Sequence, residues 1–236
     1  MRILAFGPNG SGKGTQGTII RDRYGLDHIE SGEIFRHHIK AGTKLGMKAK
    51  TYIDAGNLVP DELTIPMVAE ALAKSNERGW ILDGFPRSKA QAEALQQTLH
   101  EMKIDVDYIF EIELDREEAK KRIMGRRICS INNNHPNHIA FETIHPVEKD
   151  GELVCRVCGG SLSMREDDQD QDAINQRHDI YYDEDQGTMA AVIYYRENCD
   201  ARNIRVDGDR GISDIAENIL SEIEEGEAIK LRLKFG

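Results

Sequence analysis

Long hydrophobic runs are missing from this sequence: across 236 residues, no apolar stretch approaches the ~20 needed to cross a bilayer. A membrane span is therefore not expected. Positive charge is also scarce. Thirty-one Lys and Arg face 42 Asp and Glu, a formal net charge of −11, which repels a phosphate backbone at long range and argues against a general nucleic-acid binder. Any phosphate site must be local. Cysteines number four, too few in a chain of this length for the disulfide framework of a small secreted protein. The opening MRILAF runs straight into a glycine-rich loop without the apolar stretch and cleavage region of a secretory signal, so a cytoplasmic setting is expected. What is present, 39% hydrophobic and 31% charged residues, suits one large domain or a core with one or two insertions.

Ile3, Leu4, Ala5 and Phe6 form an apolar run closed by Gly7-Pro8-Asn9-Gly10, as expected of a parallel strand buried on both faces. Similar runs at residues 80–82, 108–114 and 204–206, and a weaker one at 26–30, alternate with helix-like stretches at 13–24, 89–102 and 116–124. The pattern predicts an α/β fold, a five-stranded parallel sheet flanked by helices. Two regions break the alternation. Residues 31–60 read as two or three short helices separated by Gly42, Gly46 and Gly56, a helical insert. Residues 126–165 are rich in Asn, His, Gly and Pro and carry three cysteines; either they form a long disordered loop, or something other than a hydrophobic core holds them. From Ser221 onward the acid-then-base pattern predicts a final helix with a frayed end.

The segment from Gly7 to Thr15 carries the most specific signal: strand, glycine-rich loop, lysine, hydroxyl, helix. Glycines let backbone N–H groups of Gly10, Ser11, Gly12, Lys13, Gly14 and Thr15 point at phosphate oxygens, and the helix amino terminus adds a favourable dipole. Lys13 would sit near the terminal phosphates and Thr15 near Mg²⁺, although Gly14 intervenes where the simplest pattern places the hydroxyl directly after the lysine. An accidental glycine-rich turn is the bland alternative.

Such a loop does not by itself separate a nucleotide switch from a kinase. The run GPNGSGKGTQ, the segment Ser31 to Arg36, the pentad Asp83-Gly84-Phe85-Pro86-Arg87 and the triplet Gly125-Arg126-Arg127 together resemble adenylate kinases in order and spacing, over roughly residues 1–220. The resemblance implies a phosphotransferase that converts ATP and AMP to two ADP with Mg²⁺. Its parts would be a core (1–30, 61–125 and 166–236), a nucleoside-monophosphate-binding insert (31–60) and a lid (126–165). It implies AMP contacts by Ser31, Arg36, Asn57, Leu58, Val59, Gly84, Phe85, Pro86, Arg87 and Gln91, with Arg165 and Arg177. ATP contacts would come from the loop and from Arg122, Arg126, Gly208 and Arg210. Lys13, Arg87, Arg126, Arg165 and Arg177 would be catalytic, stabilising two anions held in line. For an arginine outside these motifs, the ordinary reading is a solvated salt bridge.

The departures from the family pattern are specific. Ser31-Gly32-Glu33 stands where the family usually has Thr-Gly-Asp, Arg210 replaces a lysine, and Arg177 is aligned through Ile174 rather than by count. Asp83 suits a carboxylate reaching Mg²⁺ through water; Asp167 and Asp168 either orient the lid arginines or cap the next helix.

Cys155-x2-Cys158 is a thiolate knuckle, and Cys129 opens the same segment. Three sulfurs need a fourth ligand. The lid of metal-bearing adenylate kinases commonly offers two Cys-x2-Cys pairs, but Asn132 occupies the expected partner position here. His135 is the nearest good substitute, with His138 and His145 behind it. A Cys3His tetrahedron would be structural, holding Zn²⁺ with Fe or Co as alternatives. Reduced cysteines in a metal-free lid and a disulfide from Cys129 remain the other readings. ATP, AMP and ADP are the expected partners of a monomer that binds neither nucleic acid nor membrane. The rivals are a UMP/CMP-type kinase, against which Gln91 and the long lid favour adenine, and a zinc-ribbon nucleic-acid module fused to an ATPase, which the acidic balance disfavours.

Overall fold

The computed structural model describes residues 1–165 and 168–235. Five parallel strands form the central sheet: β1 (Arg2–Phe6), β2 (Asp27–Glu30), β3 (Trp80–Asp83), β4 (Tyr108–Glu113) and β9 (Arg202–Asp207), in the order β2-β3-β1-β4-β9. The period-two geometry of a strand explains the unbroken apolar run in β1. Leu4 and Phe6 enter one core with Leu82, Trp80 and Ile109, whereas Ile3 and Ala5 enter the other with Ile81, Tyr108 and Phe110. Helices α4 (Asp61–Ala73), α5 (Lys89–Glu101) and α8 (Thr188–Asn198) cover the first face; α1 (Lys13–Tyr24) and α9 (Ile212–Phe235) cover the second. Burying one such aliphatic side chain stabilises the fold by roughly 1.5–3 kcal/mol, so two filled faces dominate its stability.

The expected strands and the helices at 13–24, 89–102 and 116–124 all form, the last as α6 (Arg116–Met124). Helices α4, α8 and α7 (Gln171–Tyr182) were not individually predicted. The expected final helix forms but starts earlier than Ser221: α9 runs 24 residues from Ile212 to Phe235, because Ile215, Ile219 and Ile223 keep one stripe on the second core. Among the described residues, no helix is long and apolar enough to cross a membrane.

The insert consists of α2 (Ser31–Lys40) and α3 (Lys44–Asp54) around a small core of Phe35, Ala49 and Val59. Gly42 and Gly56 separate or end helices as expected. Gly46 does not: it lies inside α3, buried where a Cβ would strike the backbone carbonyl of His38 on α2. Its smallness lets the two helices approach closely.

The segment 126–165 is ordered, against the disordered-loop alternative. It holds two small antiparallel pairs, β5 (Ile128–Cys129) with β8 (Leu162–Ser163) and β6 (Val147–Lys149) with β7 (Glu152–Val154). The β6–β7 hairpin turns through Asp150 and Gly151, both at positive φ, as a two-residue hairpin loop favours. Apolar side chains of the segment 126–165 are largely outward: Ile131, Val147, Leu153 and Val157 are all exposed.

Candidate active site

A cavity of about 480 Å³ opens at the carboxyl ends of β1 and β3, where an open parallel sheet places its ligands. Its floor is the loop between β1 and α1. Gly12 caps α1 in the left-handed region, φ 92°, and no side chain occupies that cap, which leaves the helix amino terminus facing the cavity. Lys13 lies along the loop, its Nζ donating to the carbonyls of Gly7 (2.7 Å) and Pro8 (3.2 Å). Desolvation lowers its pKa, opposed by Asp83 and assisted by Arg87 and Arg126. All six loop positions from Gly10 to Thr15 line the cavity.

Asp83 ends β3 and is buried against the same floor. Burial opposes its ionisation, but the His28 ring, Lys13 and Arg87 outweigh that penalty and hold its pKa below the usual carboxylate value. His28 Nε2 stands 3.7 Å from Asp83 Oδ2. Next in sequence, Gly84 adopts φ 78°, and a Cβ there would crowd both the Ser31 hydroxyl and the Arg87 guanidinium. Its absence lets Ser31 donate to the Gly84 carbonyl (2.6 Å) and Arg87 Nε donate to the same oxygen (2.7 Å).

Arginines from five stretches of chain converge on this space. Arg36 comes from α2 and Arg87 from the turn after β3; Arg122 and Arg126 come from α6 and its end, Arg165 from just after β8, and Arg177 from α7. Asp168 organises two of them: its Oδ2 accepts from Arg126 Nη2 at 2.6 Å, and its Oδ1 lies 3.4 Å from Arg177 Nη1. The helix-capping alternative for Asp168 is thereby corrected. Asp170 caps α7, accepting from the amides of Asp172 and Ala173. Asp167 lies outside the described residues.

The remaining expected positions divide. Leu58, Phe85, Pro86 and Arg210 line the cavity with the loop. Ser31, Asn57, Val59, Gln91 and Gly208 do not. Val59 is buried in the core of the insert, and the Asn57 amide donates to the Tyr52 carbonyl. Gly208 offers its carbonyl to Arg122 Nη1 at 2.8 Å. Gln91 is fully engaged elsewhere: its Nε2 donates to Asp61 (2.7 Å) and its Oε1 accepts from the Arg87 amide (2.8 Å). Its place is to brace the arginine turn from behind.

Sequence reasoning missed several lining residues, among them Asn134, Asn137, His138, Phe141, Ile144 and Tyr181. Most lie in the segment flagged only as Asn- and His-rich, where no periodicity tells an inward side chain from an outward one. His138 stacks on Phe141, ring centroids 4.0 Å apart, and burial lowers its pKa against the opposing Lys121 carbonyl.

Cys129, His135, Cys155 and Cys158 place their ligand atoms within 4.8 Å of one another. Cys129 and Cys158 sulfurs are 3.4 Å apart, Cys155 Sγ is 3.5 Å from His135 Nδ1, and all four cysteines are free, against the disulfide alternative. The knuckle is built locally: the Gly159 amide donates to the Cys155 carbonyl and the Cys155 amide to that of Gly160, both at 2.8 Å. Asn137 donates to Cys155 Sγ and accepts from the Arg156 amide. Although burial opposes it, the Asn137 carboxamide and the backbone amides of Cys158 and Val157, with the Cys129 thiol, bring the Cys155 thiol down to about 6, a thiolate-forming environment that suits a thiophilic metal. The donor set fits a closed four-coordinate ion. His138 and His145 are engaged elsewhere, with Nδ1 accepting from the Ala140 amide and Nδ1 beside the Pro146 carbonyl respectively.

A family model described as adenylate kinase matches residues 5–200. Among curated proteins, the adenylate kinase of Desulfotalea psychrophila is 60% identical over 222 residues, covering 94% of this chain and 98% of its own length. Those of Desulfovibrio desulfuricans and Solidesulfovibrio magneticus are 56% and 54% identical, matched over their full lengths and over 94% and 95% of this chain.

Proposed function

The chain belongs to the adenylate kinase family and is a phosphotransferase, and we propose that it moves the terminal phosphoryl group of ATP to AMP, reversibly and with Mg²⁺, to give two ADP. The observation that carries this reading is the meeting of the phosphate loop with eight arginines in one cavity of a molecule whose net charge is −11. So much local positive charge in an acidic protein fits two polyanionic substrates.

Each stretch has a task. Amides from Gly10 to Thr15 and Lys13 would take the ATP phosphates, with Arg122, Gly208 and Arg210 toward the rest of that nucleotide. The insert and the turn after β3 would take AMP through Arg36, Arg87, Leu58, Phe85 and Pro86, with Ser31, Asn57, Val59, Gly84 and Gln91 shaping that side. Arg126, Arg165 and Arg177, two of them oriented by Asp168, would gather around the transferring group. Mg²⁺ bound with ATP would supply charge neutralisation on the phosphate oxygens, and the Thr15 hydroxyl and ionised Asp83 are the groups that would face it. No protein base is required, because the AMP phosphate attacks as an anion. Closure of the lid (126–165) and insert (31–60) over the core would exclude water as a competing acceptor.

In the lid, Cys129, His135, Cys155 and Cys158 would hold one structural metal, Zn²⁺ by preference, with Fe or Co suited to the same donors. Such an ion would replace the apolar core that this segment lacks. The reading further takes the protein as a cytoplasmic monomer acting on ATP, AMP and ADP, without nucleic acid.

The test is ADP formation from ATP with AMP, UMP, CMP or GMP in turn. AMP is expected to be the preferred acceptor, and Lys13→Ala or Arg87→Ala is expected to lower kcat/KM by about 100-fold or more. Undiminished turnover in either variant, or preference for a pyrimidine, would overturn the proposal.

A further inference from the structure

The five residues 130–134 join two members of the thiolate–imidazole cluster, Cys129 and His135, yet the contacts at the end of this loop lie outside the lid. Asn134 leans over the phosphate loop. Its backbone carbonyl accepts from the Thr15 hydroxyl (3.1 Å), and its Nδ2 donates to Glu30 at the end of β2 (2.8 Å). Its Oδ1 fills the space that a Cβ on Gly14 would need. Asn133 turns the other way, and its Nδ2 donates to Glu33 on α2 (2.8 Å). The same Glu33 oxygen also holds Arg36 (3.0 Å). Both acceptors are carboxylates, so these are the stronger, charge-assisted kind of hydrogen bond.

The loop is shaped from within. Asn132 accepts from the Asn134 amide through its side chain (3.0 Å) and from the His135 amide through its carbonyl (3.1 Å), while the Ile131 amide points at Cys129 Sγ (3.4 Å). Ordering several backbone residues at the moment of closure carries an entropy cost comparable to the hydrogen bonds gained. A loop already held at both ends avoids most of that cost.

We propose that Asn133 and Asn134 are a closing latch aimed by the metal cluster: an ion fixing Cys129 and His135 presents the two carboxamides to Glu33 and Glu30, so metal occupancy strengthens closure of the lid on the insert and the phosphate loop. Both asparagines are positioning residues in this scheme. The inference rests on the phosphotransferase reading for the ligand that draws the lid shut, and on the lid metal.

The experiment titrates the metal-loaded full chain by calorimetry with a bisubstrate probe, two adenosines joined by five phosphates, so that no turnover is involved. Asn134→Asp sets two carboxylates face to face and is expected to weaken the probe about tenfold. Glu30→Gln, which keeps an acceptor, weakens it less. The double variant reverses donor and acceptor and is expected to recover to within about threefold of the unaltered protein. Stripping the metal is expected to weaken the probe in the unaltered protein but to add little in an Asn133→Ala/Asn134→Ala variant.

Three results would overturn the latch: unchanged affinity in Asn134→Asp, an equal effect of metal removal with and without the asparagines, or loss of bound metal in Asn134→Asp, which would assign the residue to lid folding. Failure of the unaltered, loaded protein to bind the probe while also failing to form ADP would instead count against the phosphotransferase reading itself.

Discussion

Asp168 grips Arg126 across 42 positions of sequence, Oδ2 to Nη2 at 2.6 Å, with the Asp168 side chain only 6% exposed. Its other oxygen faces Arg177 on α7. One carboxylate therefore sets the directions of two guanidiniums that belong to different segments, and it does so where water screens the interaction weakly.

Replacing that charge while keeping its shape should disturb aim more than folding. Asp168→Asn is expected to lower kcat by about 10- to 100-fold, roughly 1.4–2.7 kcal/mol of transition-state stabilisation. Steady-state kinetics beside a melting curve would check this; a fall in Tm without a fall in kcat would contradict it.

The choice among lid histidines makes a second prediction. His135→Ala should lose the lid metal and lower Tm, whereas His138→Ala should retain about one metal per chain, since both its ring nitrogens face groups outside the cluster. Elemental analysis of the two purified variants decides it. Metal loss from His138→Ala alone would reverse the assignment.

Acid stability should carry the signature of Asp83. Its folded pKa lies below the ordinary value, so the unfolded chain binds that proton more readily and the associated stability is full above about pH 4. It is lost as pH falls from there through the depressed folded value. Asp83→Asn should therefore flatten the decline of Tm over that acidic window, and an unaltered slope would show the pairing to be idle.

Helix approach in the insert depends on one missing methyl. Gly46→Ala would drive a Cβ into the His38 carbonyl, and backbone cannot swing aside as a side chain can. Destabilisation of about 1–3 kcal/mol is expected. Local hydrogen exchange in α2 and α3 should accelerate, while the sheet stays protected.

Much of the core was legible because its chemistry is local. The phosphate loop needs particular backbone freedom at consecutive positions, and a doubly buried strand needs an apolar run, so β1, α1 and the turn after β3 stand where pattern places them. Helices α4, α7 and α8 went unnamed: their contacts with the core are interrupted by polar residues such as Thr64, His178 and Thr188, themselves buried. Gln91 shows another limit. A motif can identify a residue beside a site without revealing that both ends of its carboxamide are engaged behind it.

The lid divides the two kinds of information most clearly. Its ligand types and their spacing are chemical facts of the chain, since only soft or imidazole donors suit such a site, and these narrowed the choice to three sulfurs and a few histidines. Which histidine faces the thiolates, which acid holds the arginines and which asparagines reach the insert were decided only by tertiary structure. Those outcomes depend on distances between segments far apart in sequence, and such distances are set by how the whole chain packs.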